Sequence, residues 1–222
     1  MTKSILITGH TGNVGIACHA HFQVKGWDIT GVSRSSNLDL RDWESTSQWI
    51  EQHDPFDIVV MAHGVQKPIR LKDLTQSIWQ DIISNNLDAS ASLTTALIRH
   101  NKVNESGLVV YFSSIQATQP REGRGAYAAA KAGIEGLTRA ASVEWQKNNV
   151  RTVCLRIGQM THPMKGIGFT ADAIKKLNEA IPHAWVGGIE IAKFVLALYD
   201  QISLSGETIE ISSGHKYNIW PK

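Results

Sequence analysis

Cysteine is scarce: Cys18 and Cys154 are the chain's two. They are too few and too far apart for a disulfide framework or a cysteine metal site, and both are expected to be small buried side chains. Long apolar runs are missing as well. Ile58-Val59-Val60-Met61-Ala62 is among the longest, far below the ~20 residues that cross a bilayer. Met1-Thr2-Lys3-Ser4 leads straight into a strand-like segment without a signal-peptide pattern, so a cytoplasmic location is the default expectation. No dense Lys/Arg cluster appears and the formal net charge is +2, which removes the argument for nucleic acid. Internal repeats, low-complexity tracts and linkers are absent. The remaining composition, 42% apolar and 19% charged over 222 residues, suits a single domain, 1–222, with a sizeable core.

The patterning that is present alternates strand and helix. Buried-type strands are predicted at 3–7, 27–33, 56–61, 108–112, 150–155 and 207–211, with helices over about 15–25, 42–53, 125–146 and 189–199 and helical patterning from 74 to 99. Asp42 is the expected N-cap of its helix. Such alternation implies a parallel sheet covered on both faces, a doubly wound α/β fold of Rossmann type. Only four residues separate Arg34 from Asp39. The helix between strands two and three is therefore expected to be missing or very short, and the third strand a stub.

Two segments carry chemistry. Thr8-Gly9-His10-Thr11-Gly12-Asn13-Val14-Gly15 joins the first strand to the first helix. Glycines in such a turn allow close approach of backbone to a pyrophosphate seated on the helix N-terminus. A tight turn without a ligand is the plainer alternative. Tyr127 and Lys131 stand four apart, one turn along one helix face. An ammonium there would draw a phenol down from its usual pKa of about 10 toward general acid–base duty. The second strand ends in Ser33-Arg34-Ser35 with no carboxylate. That end suits a 2′-phosphate, with Arg34 pairing and Ser33 and Ser35 donating, so NADP is expected rather than NAD.

In order along the chain, these motifs resemble the short-chain dehydrogenase/reductase family from end to end. Asp39-Leu40 resembles the adenine-contacting aspartate and its neighbour. Met61-Ala62-His63-Gly64 stands in place of Asn-Asn-Ala-Gly, Asn86-Leu87 matches the helix asparagine, and Ser114 lies thirteen residues before the YxxxK tyrosine. Gly158 and Thr161 resemble the stretch beside the nicotinamide. The resemblance implies catalytic roles for Asn86, Ser114, Tyr127 and Lys131. Tyr127 would be the acid or base, Ser114 would hold the carbonyl, Lys131 would tune Tyr127 and bind the ribose, and Asn86 would hold a water. Cofactor contacts are implied for Gly9, Thr11, Gly12, Asn13, Val14, Gly15, Ser33, Arg34, Ser35, Asp39, Leu40, Ala62, His63, Gly64, Tyr127, Lys131, Gly158 and Thr161. The implied reaction is hydride transfer between NADP(H) and a small or medium carbonyl or alcohol.

Departures qualify that picture. Met61 replaces a strand-locking asparagine, Ile157 replaces a proline, and His63 is read as a structural histidine with a cofactor role as the alternative. The segment 162–186 holds Pro163, Met164, Phe169 and Trp185, with Gly166 and Gly168 to let it flex, and is expected to cover the substrate as a lid. Gln116 is equally a loop residue or a substrate contact. Arg121 and Arg124 are read as solvated, with an acidic substrate as the alternative. The helix from Gly125 is rich in small residues (Ala126, Ala128, Ala129, Ala130, Ala132, Gly133 and Gly136), which permits close helix approach and fits the subunit interface that the resemblance implies, hence a homodimer or homotetramer. The rival functions are an epimerase or dehydratase of nucleotide sugars, suggested by the glycine spacing, and a non-catalytic dinucleotide-binding regulator.

Overall fold

The computed structural model describes residues 2–36, 38–161, 174–175, 178–179, 185–201 and 203–212. Its centre is a six-stranded, wholly parallel sheet. The strands are β1 (Ser4–Thr8), β2 (Asp28–Val32), β3 (Phe56–Met61), β4 (Val103–Ser114), β5 (Arg151–Ile157) and, after a short pair described below, β8 (Glu207–Ile211). Their spatial order is β2-β1-β3-β4-β5-β8. The helices are α1 (Asn13–Val24), α2 (Trp43–Glu51), α3 (Gln76–Ile83), α4 (Ala89–Arg99), α5 (Gly125–Glu144) and α6 (Gly188–Tyr199).

Strand alternation divides the core. Leu6, Val59, Val109 and Cys154 face one side, beneath Ile50 of α2, Leu93 and Leu97 of α4 and Ile134 of α5. Ile5, Ile7, Val60, Val110 and Leu155 face the other, beneath Cys18 and Phe22 of α1 and Ile191 and Val195 of α6. The two cysteines are free, buried and on opposite sides of the sheet, as their residue type suggested. No helix among the described residues is long and apolar enough to cross a membrane.

The gap after β2 holds a single 3-10 turn, Arg34–Ser36, in place of a helix. The expected stub strand does not join the sheet, and β2 is the edge. Leu38 and Leu40 still enter the core, but the chain turns at once. The Arg41 N–H donates to Asp39 Oδ1 at 3.0 Å, and Asp42 caps α2 by accepting from Ser45 N–H at 3.1 Å. Two leucines are too short a segment to extend a ladder between those turns.

Three further features differ from the sequence reading. β4 begins at Val103 rather than 108, through an irregular register against β3 and a left-handed Ser106. The helical stretch from 74 to 99 is broken by a π-helical turn at Ser84–Asp88 between α3 and α4. A two-stranded pair, β6 (Gln159–Met160) with β7 (Trp185–Val186), lies beyond β5. The lid expected over 162–186 lies for the most part outside the described residues.

Candidate active site

Ligands of open α/β sheets bind beyond the carboxyl ends of the strands. Here those ends border one cavity of about 660 Å³ that runs from the β2 edge to the end of β5.

At the β1 end, Gly9 has φ +63°, and a Cβ there would stand 2.8 Å from the backbone of Ala62 and His63. A Cβ on Gly15 would strike Gly9 O at 2.3 Å. These two glycines are therefore required by the turn itself, before any ligand is considered. α1 begins directly after Gly12, whose position makes no side-chain capping bond. Gly9, Thr11, Gly12, Asn13 and Val14 line the cavity; Gly15 lies beneath the turn and does not.

At the β2 end, Ser33, Arg34 and Ser35 line the cavity. Ser33 Oγ and Ser35 Oγ are 2.7 Å apart, and Arg34 is exposed. Asp39 and Leu40 also line it, with a neighbour that sequence reasoning missed. Arg41 forks the Asp39 carboxylate through Nε at 2.9 Å and Nη2 at 2.5 Å. That bond, aided by the charges of Arg41 and Arg34, holds the Asp39 carboxyl below its ordinary range. The aspartate thus arrives already paired.

Beyond β3, Ala62, His63 and Gly64 line the cavity. His63 Nδ1 lies 2.6 Å from Thr8 Oγ1, and Nε2 lies 3.1 Å from Ser90 Oγ. Ser90 Oγ donates to Asn86 O at 2.8 Å. Its ring ties β1 to the first turn of α4, a cross-link where Met61 makes only apolar contacts. Burial and the charge of Lys131 push the His63 pKa down to about 3. The structural reading of this histidine is the one its bonds match, although its ring also reaches the cavity wall.

The π turn carries Asn86 beneath the wall rather than on it. Its Nδ2 donates to Val65 O at 2.9 Å and Ile82 O at 2.8 Å, while Oδ1 is buried without a described partner. Gly64 leaves room for that oxygen: a Cβ there would stand 2.5 Å from it.

β4 delivers two serines with different fates. Ser113 Oγ donates to Glu135 Oε1 at 2.7 Å and contacts Lys131 O at 3.2 Å. Ser114 Oγ accepts from Gln116 N–H at 3.2 Å, and its hydroxyl acts on Tyr127 by lowering the phenol pKa against burial. Of the two, Ser113 is committed to α5 through Glu135 and Lys131, while the Ser114 hydroxyl is the one that acts on Tyr127. Lys131 Nζ donates to Phe112 O at 2.9 Å and lies 5.6 Å from the Tyr127 ring centroid.

The electrostatics differ from the expected picture. Burial raises the Tyr127 pKa to about 12, against downward pulls from the Ser114 hydroxyl and the charge of Arg124. The phenol is therefore not drawn toward neutrality, because excluding water from the phenolate outweighs its neighbours. Burial also lowers Lys131 to about 8.

At the far end, Gly158 lines the cavity and packs tightly, since a Cβ there would meet Ser212 Cα at 2.7 Å. Thr161 is a correction. Its N–H donates to Val186 O at 3.1 Å beside the β6·β7 pair, and its side chain is exposed and away from the cavity lining. Arg121 and Arg124 are a second correction: both are part-buried and line the cavity, with Gln66 and Gln116. A loop has no hydropathy period from which such an orientation could be read. Among the described residues, no cluster of His, Cys, Asp or Glu could hold a metal ion.

The chain is similar to known proteins over nearly its whole length. The family model for short chain dehydrogenase matches residues 36–168. The 3-oxoacyl-[acyl-carrier-protein] reductase FabG of Chlamydia trachomatis is 27% identical, over 96% of this chain and 97% of that protein. The acetoacetyl-CoA reductase of an Acinetobacter strain is 26% identical over 96% and 97%. A small-chain dehydrogenase solved in complex with NADPH superposes with a TM-score of 0.83 at 17% identity, over 96% of this chain and 98% of that one, and shows likeness of fold. With a match covering well over half its residues, and with the site geometry in register, the chain belongs to the short-chain dehydrogenase/reductase family of oxidoreductases.

Proposed function

We propose that this protein is an NADP(H)-dependent carbonyl reductase, working also as an alcohol dehydrogenase in reverse, with Tyr127 as general acid or base. The observation that carries the reading is the placement of Ser114, Tyr127 and Lys131 on the wall of one cavity that continues to the glycine turn and Arg34. The dinucleotide fits features already present. The N-terminus of α1 has no side-chain cap, so its N–H groups suit a pyrophosphate. Arg34 and the Ser33–Ser35 pair suit a 2′-phosphate. The cofactor supplies the hydride.

The chain's own groups do the rest. Ser114 donates to the carbonyl oxygen and polarises it. Tyr127 gives that oxygen its proton in reduction, and its raised pKa keeps the proton available across the neutral range. Lys131, protonated below about pH 8, favours the transient phenolate and reaches the nicotinamide ribose. Asn86 offers its unpartnered Oδ1 to a water behind Lys131. The small-residue face of α5 is proposed as part of a subunit interface. The reductases named above are, by name, reductases of 3-oxoacyl and acetoacetyl groups, which favours a carbonyl substrate here too.

The test is a titration with NADPH and NADH followed by nicotinamide fluorescence, and turnover of a ketone panel by the wild type and Tyr127→Phe. Tighter binding of NADPH, with turnover lost and binding kept in the variant, is expected. Undiminished turnover by Tyr127→Phe would remove the acid–base assignment, and failure to bind either dinucleotide would favour a non-catalytic role.

A further inference from the structure

The β4 end of the cavity is built from donors. Among the described lining residues the sole carboxylate is Asp39, at the opposite edge and already forked by Arg41. Arg34, Arg41, Arg121, Arg124 and Lys131 line the same cavity, so cationic side chains outnumber carboxylates along its wall. Arg34 and Arg41 stand beside β2, where the 2′-phosphate would lie. Arg121 and Arg124 follow Ser114 in the chain and stand at the start of α5, with the ends of β1 and β3 between them and β2.

This pair is held in place. The Arg121 N–H donates to Gln116 Oε1 at 2.9 Å, and Arg124 N–H donates to Arg121 O at 3.1 Å, closing a turn before α5. Ile69 N–H donates to Gly123 O at 3.0 Å and seats the turn against the loop after β3. With the Gln66 amide turned so that its oxygen faces Arg124, Nη1 donates to that oxygen at 2.8 Å, a neutral acceptor that orients the guanidinium without cancelling its charge. Gln116 uses its oxygen on Arg121, leaving its amide NH₂ to present to the cavity it lines. Burial and the neighbouring charge of Arg124 lower Arg121 to about 10, a sign of two cations held close and away from water. Planar guanidinium forks match a carboxylate better than any neutral group.

We infer that the substrate is an oxo acid, or the matching hydroxy acid in oxidation. Arg121 and Arg124, with the Gln116 amide, take its carboxylate while Ser114 and Tyr127 hold the carbonyl oxygen. This rests on the hydride-transfer reading above. The hydride for the carbonyl carbon would come from the bound cofactor, Tyr127 delivers a proton to the carbonyl oxygen, and the carboxylate passes through unchanged.

The experiment compares 2-, 3- and 4-oxo acids with their methyl esters, using the full chain loaded with NADPH. Turnover is measured, as is binding by the change in bound-NADPH fluorescence, in the wild type, Arg121→Gln and Arg124→Gln. Thermal melts check that each variant is folded. At least one acid should be favoured over its ester by about tenfold or more, chiefly in KM or Kd. Either glutamine variant should shrink that ratio, and Arg124→Lys should restore part of it. Esters bound and reduced as well as acids, or selectivity unchanged in both glutamine variants, would overturn the inference while leaving the reductase standing. No NADPH binding would instead overturn the hydride-transfer reading, and the oxo acid with it. If NADPH binds and nothing is reduced, acid binding that depends on both arginines still supports the carboxylate site, and its absence refutes it.

Discussion

Two buried bases, Lys131 and His63, give the site its pH behaviour, and they act at different pH. Burial brings Lys131 from an ordinary 10.5 to about 8, so its charge is lost as pH rises through that value. Tyr127, at about 12, stays protonated there. Ketone reduction should therefore be flat from pH 6 to 7 and fall on the alkaline side with an apparent pKa near 8. A decline that begins only above pH 10 would assign the limb to the tyrosine instead. His63 acts on stability. In the fold it is held neutral, with a pKa near 3 against 6.5 when unfolded. Below pH 6.5 the unfolded chain takes a proton that the folded chain refuses, so stability is complete above 6.5 and is lost as pH falls toward 3. The loss approaches ~1.4 kcal/mol per pH unit at most. Urea midpoints followed from pH 7 to 4 should fall more steeply for the wild type than for His63→Asn, and parallel slopes would discharge the histidine from that role.

At the level of elements, the segments that sequence patterning located best are those whose ends carry a physical stop. β3 runs over Phe56–Met61 as read, because every position from Ile58 is buried on a central strand and Pro55 precedes it. α2 starts after Asp42, whose carboxylate takes the Ser45 N–H. The π turn left no such mark, since Ser84–Asp88 merely delays the helical register that carries Asn86. The same contrast holds in the site. Ser114, Tyr127 and Lys131 were legible because spacing along a strand end and a helix fixes their relation. Arg121 and Arg124 were not, because a tight loop sets theirs. A charged network steadies the helix that bears Tyr127 and Lys131. Glu135 accepts from Ser113 and is forked by Arg156, whose other nitrogen reaches Glu210 at 3.3 Å. Glu135→Gln leaves Arg156 half-paired between α5 and β5, and should cost roughly 2–4 kcal/mol, somewhat less than a fully buried break. Chemical denaturation measures this, and a loss within experimental error would mean Glu210 alone suffices for Arg156.

For the whole molecule, the cavity is what joins the two halves of the winding. Its lining comes from the turns after β2 and β1, the segment after β3, the end of β4 and the exit of β5. A dinucleotide lying there touches loops that otherwise meet only through the sheet, and it is bound by the folded chain alone. At a hundred times Kd such a ligand adds ~2.7 kcal/mol. For a domain of this length that corresponds to roughly 5–10 °C in Tm. The open β2 edge concentrates the choice between dinucleotides in one side chain. Leu38 and Leu40 point into the core and Asp39 is held by Arg41, which leaves Arg34 as the exposed cation nearest the 2′ position. NADPH should raise Tm well beyond NADH at equal concentration. In Arg34→Asp the NADPH gain should shrink toward the NADH value, a loss of roughly 10- to 100-fold in affinity for one charged hydrogen-bonding group. Equal shifts for both dinucleotides in the wild type would place the specificity elsewhere, whereas a variant that keeps its NADPH shift would pass the role to Arg41, the other cation on that wall.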